Sequence, residues 1–161
     1  MMETHELRNI HMLQDFPEDK LQKISRLANL QVVNAETVLY REEENLSNLY
    51  MLLSGKIILE VDVSEDISVT LGVIKPRYTI GTSSLISQAK SYATAFCVEP
   101  SEVITFNAKE LYNLLENDLE LGFLFMQRIV HIYESRLANR TSQFLRALRN
   151  HPELQRLFQK Y

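Results

Sequence analysis

Residues 78–95 read YTIGTSSLISQAKSYATA. A β-like tripeptide leads into Gly81, then three hydroxyl residues, Thr82, Ser83 and Ser84, a short apolar turn, Lys90 and an alternating strand. The chain has only four glycines, so one placed directly before a hydroxyl run calls for a reason. A glycine lets the backbone approach a ligand closely, and the amides opening a short helical turn favour negative charge. Alone, the same pattern is that of a turn and a helix N-cap. Its meaning depends on the order of elements around it.

Upstream, PEDKLQKISRLANL puts Leu21, Ile24, Leu27 and Ala28 on one stripe behind Pro17 and two acidic residues, which predicts a helix. After Leu30 the period changes. LQVV, ETVLY, NLYMLLSG, KIILEVDV and ISVTLGVI are short β-rich runs separated by polar breaks. In KIILEVDV, Ile57, Leu59, Val61 and Val63 share one face and Glu60 and Asp62 the other. LSGKI reads as a tight turn at Gly55, and Ala35, Glu43 and Arg77 stand at further turn positions. SYATAFCV and SEVITF add two strands across Glu99-Pro100.

From Asn107 the chain is helical again. NAKELYNLLEN starts with an N-cap asparagine and Glu110 three residues on, a capping-box pattern. A second start at Asp118 opens a long helix expected over about 118–148, in which Phe123, Phe125 and Met126 read as core or cap packing. Met126, Val130, Tyr133, Leu137 and Phe144 fall at a/d spacing, with Arg140 and Ala147 at the remaining positions of the pattern. That stripe is too long for one small sandwich to cover, and its second half predicts a dimer seam. Pro152 ends the helix, and PELQRLFQK adds a short amphipathic turn. The fold class is therefore mainly β with flanking helices: a sandwich, jelly roll or barrel over about 29–106, an N-terminal helix and a long C-terminal helix. Residues 1–148 are expected to form the domain, with 149–161 as a short helical tail.

The 161 residues suffice for one domain with its own core. Hydrophobic residues at 45% and charged residues at 24% give the balance of a soluble globular protein. No apolar run nears the roughly 20 residues that span a bilayer, and the N-terminus lacks the apolar stretch of a secretory signal. The single Cys97 can form no internal disulfide. The expected location is the cytoplasm. Net charge is −4, but residues 126–161 carry seven basic against two acidic groups, leaving −9 elsewhere. Such asymmetry can mark a polyanion-binding tail; interspersed with apolar residues at helical spacing, it also reads as a solvated helix face.

The whole order of elements resembles the cyclic-nucleotide-binding domain, the effector module of the catabolite activator (CRP/FNR) superfamily. The resemblance covers roughly residues 15–145 and is carried best by TVLYREEENLSNLYMLLSGKI and IGTSSLISQAKSYATAF. It implies a β-roll and a regulatory, non-catalytic role with a small-molecule effector, a cyclic nucleotide or another small organic anion. The hydroxyl stretch then corresponds to the family's phosphate-binding cassette, which usually reads F-G-E-L-A-L and, after a loop, R-x-A-T or R-S-A. Gly81 stands at the glycine, Leu85 at the second leucine, and Ala93 and Thr94 at the small-hydroxyl pair. Thr82 stands where the glutamate belongs and Tyr92 where the arginine belongs. The implied ligand site is Gly81, Thr82, Ser83, Ser84, Leu85, Lys90, Tyr92, Ala93 and Thr94.

Both charged residues of the pattern are missing, and each charge-assisted hydrogen bond is worth ~1.5–3 kcal/mol. Losing two weakens a cyclic phosphate by about two decades or more, since ~1.4 kcal/mol is tenfold. Lys90, as a flexible point charge, is the candidate replacement for the arginine, and Arg77 is a second nearby cation. Tight cyclic AMP or cyclic GMP binding is therefore not expected. His5, His11, His131 and His151 all lie in predicted helices or their flanks, which excludes a metal-dependent cupin and Ser/His/Asp catalysis. Glu42, Glu43 and Glu44 read as an exposed turn. No catalytic constellation, metal site or cofactor is expected. About 14 residues follow Ala147, too few for a helix-turn-helix, so DNA is not expected as a partner. Three readings result: a stand-alone ligand-sensing domain with an altered cassette; a ligand-independent module for dimer or protein contacts through the long helix; and, last, a nucleic-acid-associated regulator using the basic tail.

Overall fold

A computed structural model describes residues 2–153 and 156. The turn expected within PELQRLFQK falls largely outside them. The chain divides into two compact units, Met1–Phe125 and Met126–Tyr161.

The first unit opens with α1 (Thr4–Arg8) and α2 (Glu18–Ser25). The stripe expected for α2 is present, with Leu21 and Ile24 fully buried and Leu27 and Ala28 half-buried just beyond its end. α1 carries too short an apolar pattern to be read from sequence; a capping box between Glu3 and Glu6 starts it.

Eight strands follow in two antiparallel sheets: β1 (Asn29–Val33), β2 (Val38–Tyr40), β3 (Asn48–Ser54), β4 (Ile57–Ser64), β5 (Ile67–Ile74), β6 (Thr79–Ile80), β7 (Thr94–Cys97) and β8 (Ser101–Asn107). One sheet has the order β1-β8-β3-β6 and the other β2-β7-β4-β5. This is the expected β-roll. Between the sheets lie Tyr40, Leu52, Ile57, Leu59, Ile80, Ala93, Ala95, Cys97 and Val103. The inward face of β4 follows the period-2 reading through Val61, but Val63 is exposed because the hairpin there has left the core. In β8 the alternation is lost: Val103, Ile104, Thr105 and Phe106 are all buried. β3 and β8 are the two inner strands of their sheet and are covered on both faces.

The β3–β4 turn has a positive φ at Gly55, as expected. Glu43 and Arg77 also take positive φ, 62° and 78°. The expectation for Ala35 is off by one residue, since the left-handed position is Glu36, at φ 64°.

After β8 come α3 (Ala108–Asn117) and α4 (Leu119–Asn150). Asn107 caps α3, its Oδ1 accepting from the N–H groups of Lys109 and Glu110 at 3.1 Å, the forward half of the expected box. Asp118 caps α4, its Oδ1 accepting from Leu121 N–H at 3.1 Å. Of the three residues read as packing at the head of α4, Phe125 is buried, with its ring edge-on to Phe16 at 6.3 Å; Phe123 and Met126 are exposed, because they lie on another face of the helix. α4 stops two residues before Pro152, whose ring cannot follow a helical turn.

Within the second unit, α4 carries an exposed apolar stripe. Val130, Leu137 and Phe144 are 64%, 69% and 54% exposed, and Tyr133 is half-buried. No helix among the described residues is long and apolar enough to cross a membrane.

Candidate functional site

The stretch Tyr78–Ala95 joins the two sheets. β6 pairs with β3 through Tyr50↔Ile80 and Met51↔Thr79, and β7 pairs with β4 and β2. Between them, Gly81 turns the chain at φ 76° into a short 3₁₀ helix, Thr82–Leu85. A Cβ on Gly81 would meet Asn48 O at 3.0 Å and the Tyr50 ring at 3.1 Å, so both the dihedral and the close approach call for glycine. Ser84 N–H donates to Gly81 O at 3.0 Å and Ile86 N–H to Ser83 O at 3.1 Å. Thr82, Ser83 and Leu85 are buried. Ser84 Oγ is sealed from solvent and has no hydrogen-bond partner among the described residues.

The second half of the candidate site is held against the Arg41–Glu44 turn. Glu43 N–H donates to Ser91 O at 2.8 Å, and Ser91 N–H to Glu44 O at 2.9 Å. Glu42 N–H donates to Thr94 Oγ1 at 3.0 Å, so that hydroxyl already has a partner. The buried Ser91 hydroxyl donates to Ala93 O at 2.6 Å and stiffens the approach to β7. Ala93 is buried in the core between the sheets, whereas Tyr92 is 40% exposed.

Both candidate cations have partners within the chain. Lys90 Nζ lies 3.5 Å from Glu43 Oε2, both side chains largely in solvent. Arg77 is directed elsewhere, its Nε donating to Asn9 O at 2.5 Å. Acidic residues border the Ser91–Thr94 segment: Glu42 and Glu43 on the turn, and Glu60 opposite Thr94 in the β4–β7 register. The expected exposed acidic turn is present, with Glu43 and Glu44 in solvent and Glu42 half-buried.

The structure thus brings Gly81–Leu85 and Tyr92–Thr94 to the two ends of one connection. Ser91, Tyr50 and the Glu42–Glu44 turn also frame it. Sequence reasoning selected none of them: Ser91 lies between the chosen Lys90 and Tyr92, whereas pairing across the fold, not spacing along the chain, sets Tyr50 and the turn beside it. Tyr50 packs its ring on Gly81, and burial raises its phenol above the ordinary tyrosine value. Burial likewise raises the thiol of Cys97, which lies in the core. Among the described residues, no group of three or more His, Cys, Asp or Glu side chains is placed to hold a metal ion.

The two-sheet fold is shared with solved structures. A solved cyclic nucleotide-binding domain from Methylobacillus flagellatus superposes with a TM-score of 0.80 at 17% identity, over 89% of this chain and 84% of that one. A Geobacter metallireducens structure described as that of a cyclic nucleotide-binding protein gives 0.75 at 23%, over 85% and 99%. The catabolite activator protein of Thermus thermophilus gives 0.70 at 16%, over 83% of this chain and 61% of that one. No curated protein matches. Residues 30–118 match the family model described as the cyclic nucleotide-binding domain. With more than half of its length matched and the two-sheet roll in place, the chain belongs to the cyclic nucleotide-binding domain family.

Proposed function

We propose that this chain is a non-catalytic sensor whose ligand site is Gly81–Leu85 with Lys90, Tyr92, Ala93 and Thr94, and that it binds cyclic AMP and cyclic GMP weakly. The observation that carries this is the disposition of the two cations read as replacements for the missing arginine: Lys90 faces Glu43, and Arg77 faces the Asn9 carbonyl. An enclosed phosphate without a facing cation forfeits charge-assisted hydrogen bonds. The Gly81 turn and its buried hydroxyls keep the backbone for a ligand. The sealed Ser84 hydroxyl is a polar group that a ligand could satisfy, and a buried hydroxyl without a partner costs about 1–3 kcal/mol. The effector is a small molecule, of which organic anions other than cyclic nucleotides are one class to screen. The sensor domain is residues 1–148, with 149–161 as its tail, and it works in the cytoplasm.

Thermal unfolding with cyclic AMP, cyclic GMP and a panel of organic anions tests this reading. A ligand at ~100 times its Kd stabilises the fold by about 2.7 kcal/mol. A shift with a cyclic nucleotide at micromolar concentration overturns the weak-binding reading. A shift with another compound supports a changed specificity.

A second reading is favoured by the stripe on α4. Val130, Leu137 and Phe144 are exposed at the a spacing of a heptad, with Met126 and Tyr133 at d. A second copy of the same helix would cover them, making the chain a dimer whether or not a ligand binds. Sedimentation at several concentrations tests it; a monomer at every concentration overturns it.

A further inference from the structure

The residues before β1 grip the first unit at two separate places. At one end, Arg77 Nε donates to Asn9 O at 2.5 Å, His11 N–H donates to Arg77 O at 3.0 Å, and the His11 and Tyr78 rings meet edge to face at 4.8 Å. This is the turn that leads through β6 into Gly81, and it is held in a left-handed conformation at a non-glycine residue. It is also bonded to the sheet, Arg77 N–H to Leu52 O at 2.7 Å and Leu52 N–H to Tyr78 O at 3.0 Å, and closed on itself by Tyr78 N–H to Lys75 O at 3.3 Å.

At the other end, Lys20 Nζ reaches Asp118 at 3.0 Å and Glu120 at 2.8 Å, and Lys23 Nζ reaches Asp118 at 2.5 Å. The Lys20 side chain is only 8% exposed. Asp118 is the cap of α4, so the same carboxylate that receives two lysines also fixes the first turn of that helix. Phe16 adds its ring to Phe125 one turn further on.

Between the two ends the segment is cross-tied. Arg8 donates to Phe16 O at 3.1 Å and to Glu18 at 2.7 Å, and Thr4 Oγ1 donates to Glu18 at 2.6 Å. Leu7, Ile10, Leu13, Phe16, Leu21 and Ile24 are buried beneath it. A segment tied internally and buried along its length opens as one unit.

We infer that residues 4–25 form a two-ended brace that couples the Arg77–Tyr78 turn, and with it the start of the Gly81 stretch, to the Asp118 root of α4. Loosening either end loosens the other. The inference does not depend on any ligand.

Amide hydrogen exchange on the full chain tests it. Lys20 and Lys23 are replaced together by methionine (K20M/K23M), which keeps the stems and removes the charges. Exchange is expected to accelerate by about tenfold or more at the α4 root and also at residues 77–85, while the β4–β5 hairpin is unchanged. The reciprocal variant is Arg77→Gly, which suits the left-handed turn and deletes the bond to Asn9; it is expected to accelerate exchange at residues 119–122. Acceleration confined to the mutated end overturns the brace. So does uniform acceleration that includes the hairpin, which would mean only a lower global stability. If K20M/K23M does not fold, Arg77→Gly decides the question by the same criteria.

Discussion

Lys90, the only lysine between Gly81 and Ala95, faces Glu43 across 3.5 Å. The pair joins the connection after the Gly81 turn to the acidic turn before β3, and both partners are mostly in solvent. An exposed ion pair of this kind contributes about 0–1 kcal/mol. Glu43→Gln should therefore leave the melting temperature nearly unchanged. It should also raise affinity for cyclic AMP by less than about tenfold, because ~1.4 kcal/mol is a decade. Thermal shift against nucleotide concentration reads both; a hundredfold gain would show that Glu43 dominates the rejection of the anion.

Gly122 sits where α4 passes the end of α3. A Cβ there would stand 2.5 Å from the Leu115 carbonyl oxygen, a backbone atom that cannot swing away. Gly122→Ala normally gains helix propensity of roughly 0.8–1 kcal/mol. Here the clash should reverse the sign, giving a net loss of about 1–3 kcal/mol, the usual range for overpacking. Urea unfolding measures it, and a variant more stable than the parent would refute the close approach.

The acid limb of the stability curve should carry the signature of Asp118. The Lys23 ammonium first, then the Leu121 N–H and Lys20, hold its carboxyl well below the usual aspartate range. A depressed carboxylate stabilises the fold above its unfolded value and loses that contribution as pH falls through the native value. Stability should thus decline from about pH 5 downward, and Asp118→Asn should flatten the decline. Lys20 shifts the opposite way, raised by Glu120 and then Asp118. Its contribution is complete below the ordinary lysine value and is lost only as pH rises through the raised one. Denaturant unfolding from pH 2 to pH 10 should therefore show a loss from the clasp on the acid side alone.

If a second copy covers the α4 stripe, Leu137→Glu should dissociate it. A glutamate at an a position puts a charge into the seam, while the isolated helix loses little, since Leu137 is 69% exposed in the single chain. Sedimentation should show a dimer for the parent and a monomer for the variant, with similar melting of the β-roll. An unchanged mass would remove this stripe from the interface.

Cys97 should be inert to thiol reagents in the folded protein. It is fully buried, and burial raises its thiol, so the reactive thiolate is scarce. Reaction with a disulfide reagent should begin only as the protein unfolds in urea; fast labelling in native buffer would contradict the packing between the sheets.

Much of this protein was settled by local chemistry along the chain. The change of period after Leu30, the turns at Gly55 and Gly81, and the helix starts at Asn107 and Asp118 each follow from residue type and spacing over a few positions. Such signals survive without tertiary contacts, so a mainly β domain with flanking helices was legible; the β-roll itself came through the resemblance. Thr82 and Tyr92 were read as substitutions only through the resemblance to the family's cassette pattern. Tertiary structure alone decided where the charges point. In sequence Lys90 was placed in the site and Arg77 stood as a second nearby cation; one meets Glu43 and the other Asn9, residues 47 and 68 positions away. It also decided that Asp118, readable as a cap, receives Lys20 and Lys23 from 98 and 95 residues upstream. Hydrogen bonds and ion pairs act over a few ångströms of space, and only folding sets which distant residues come that close.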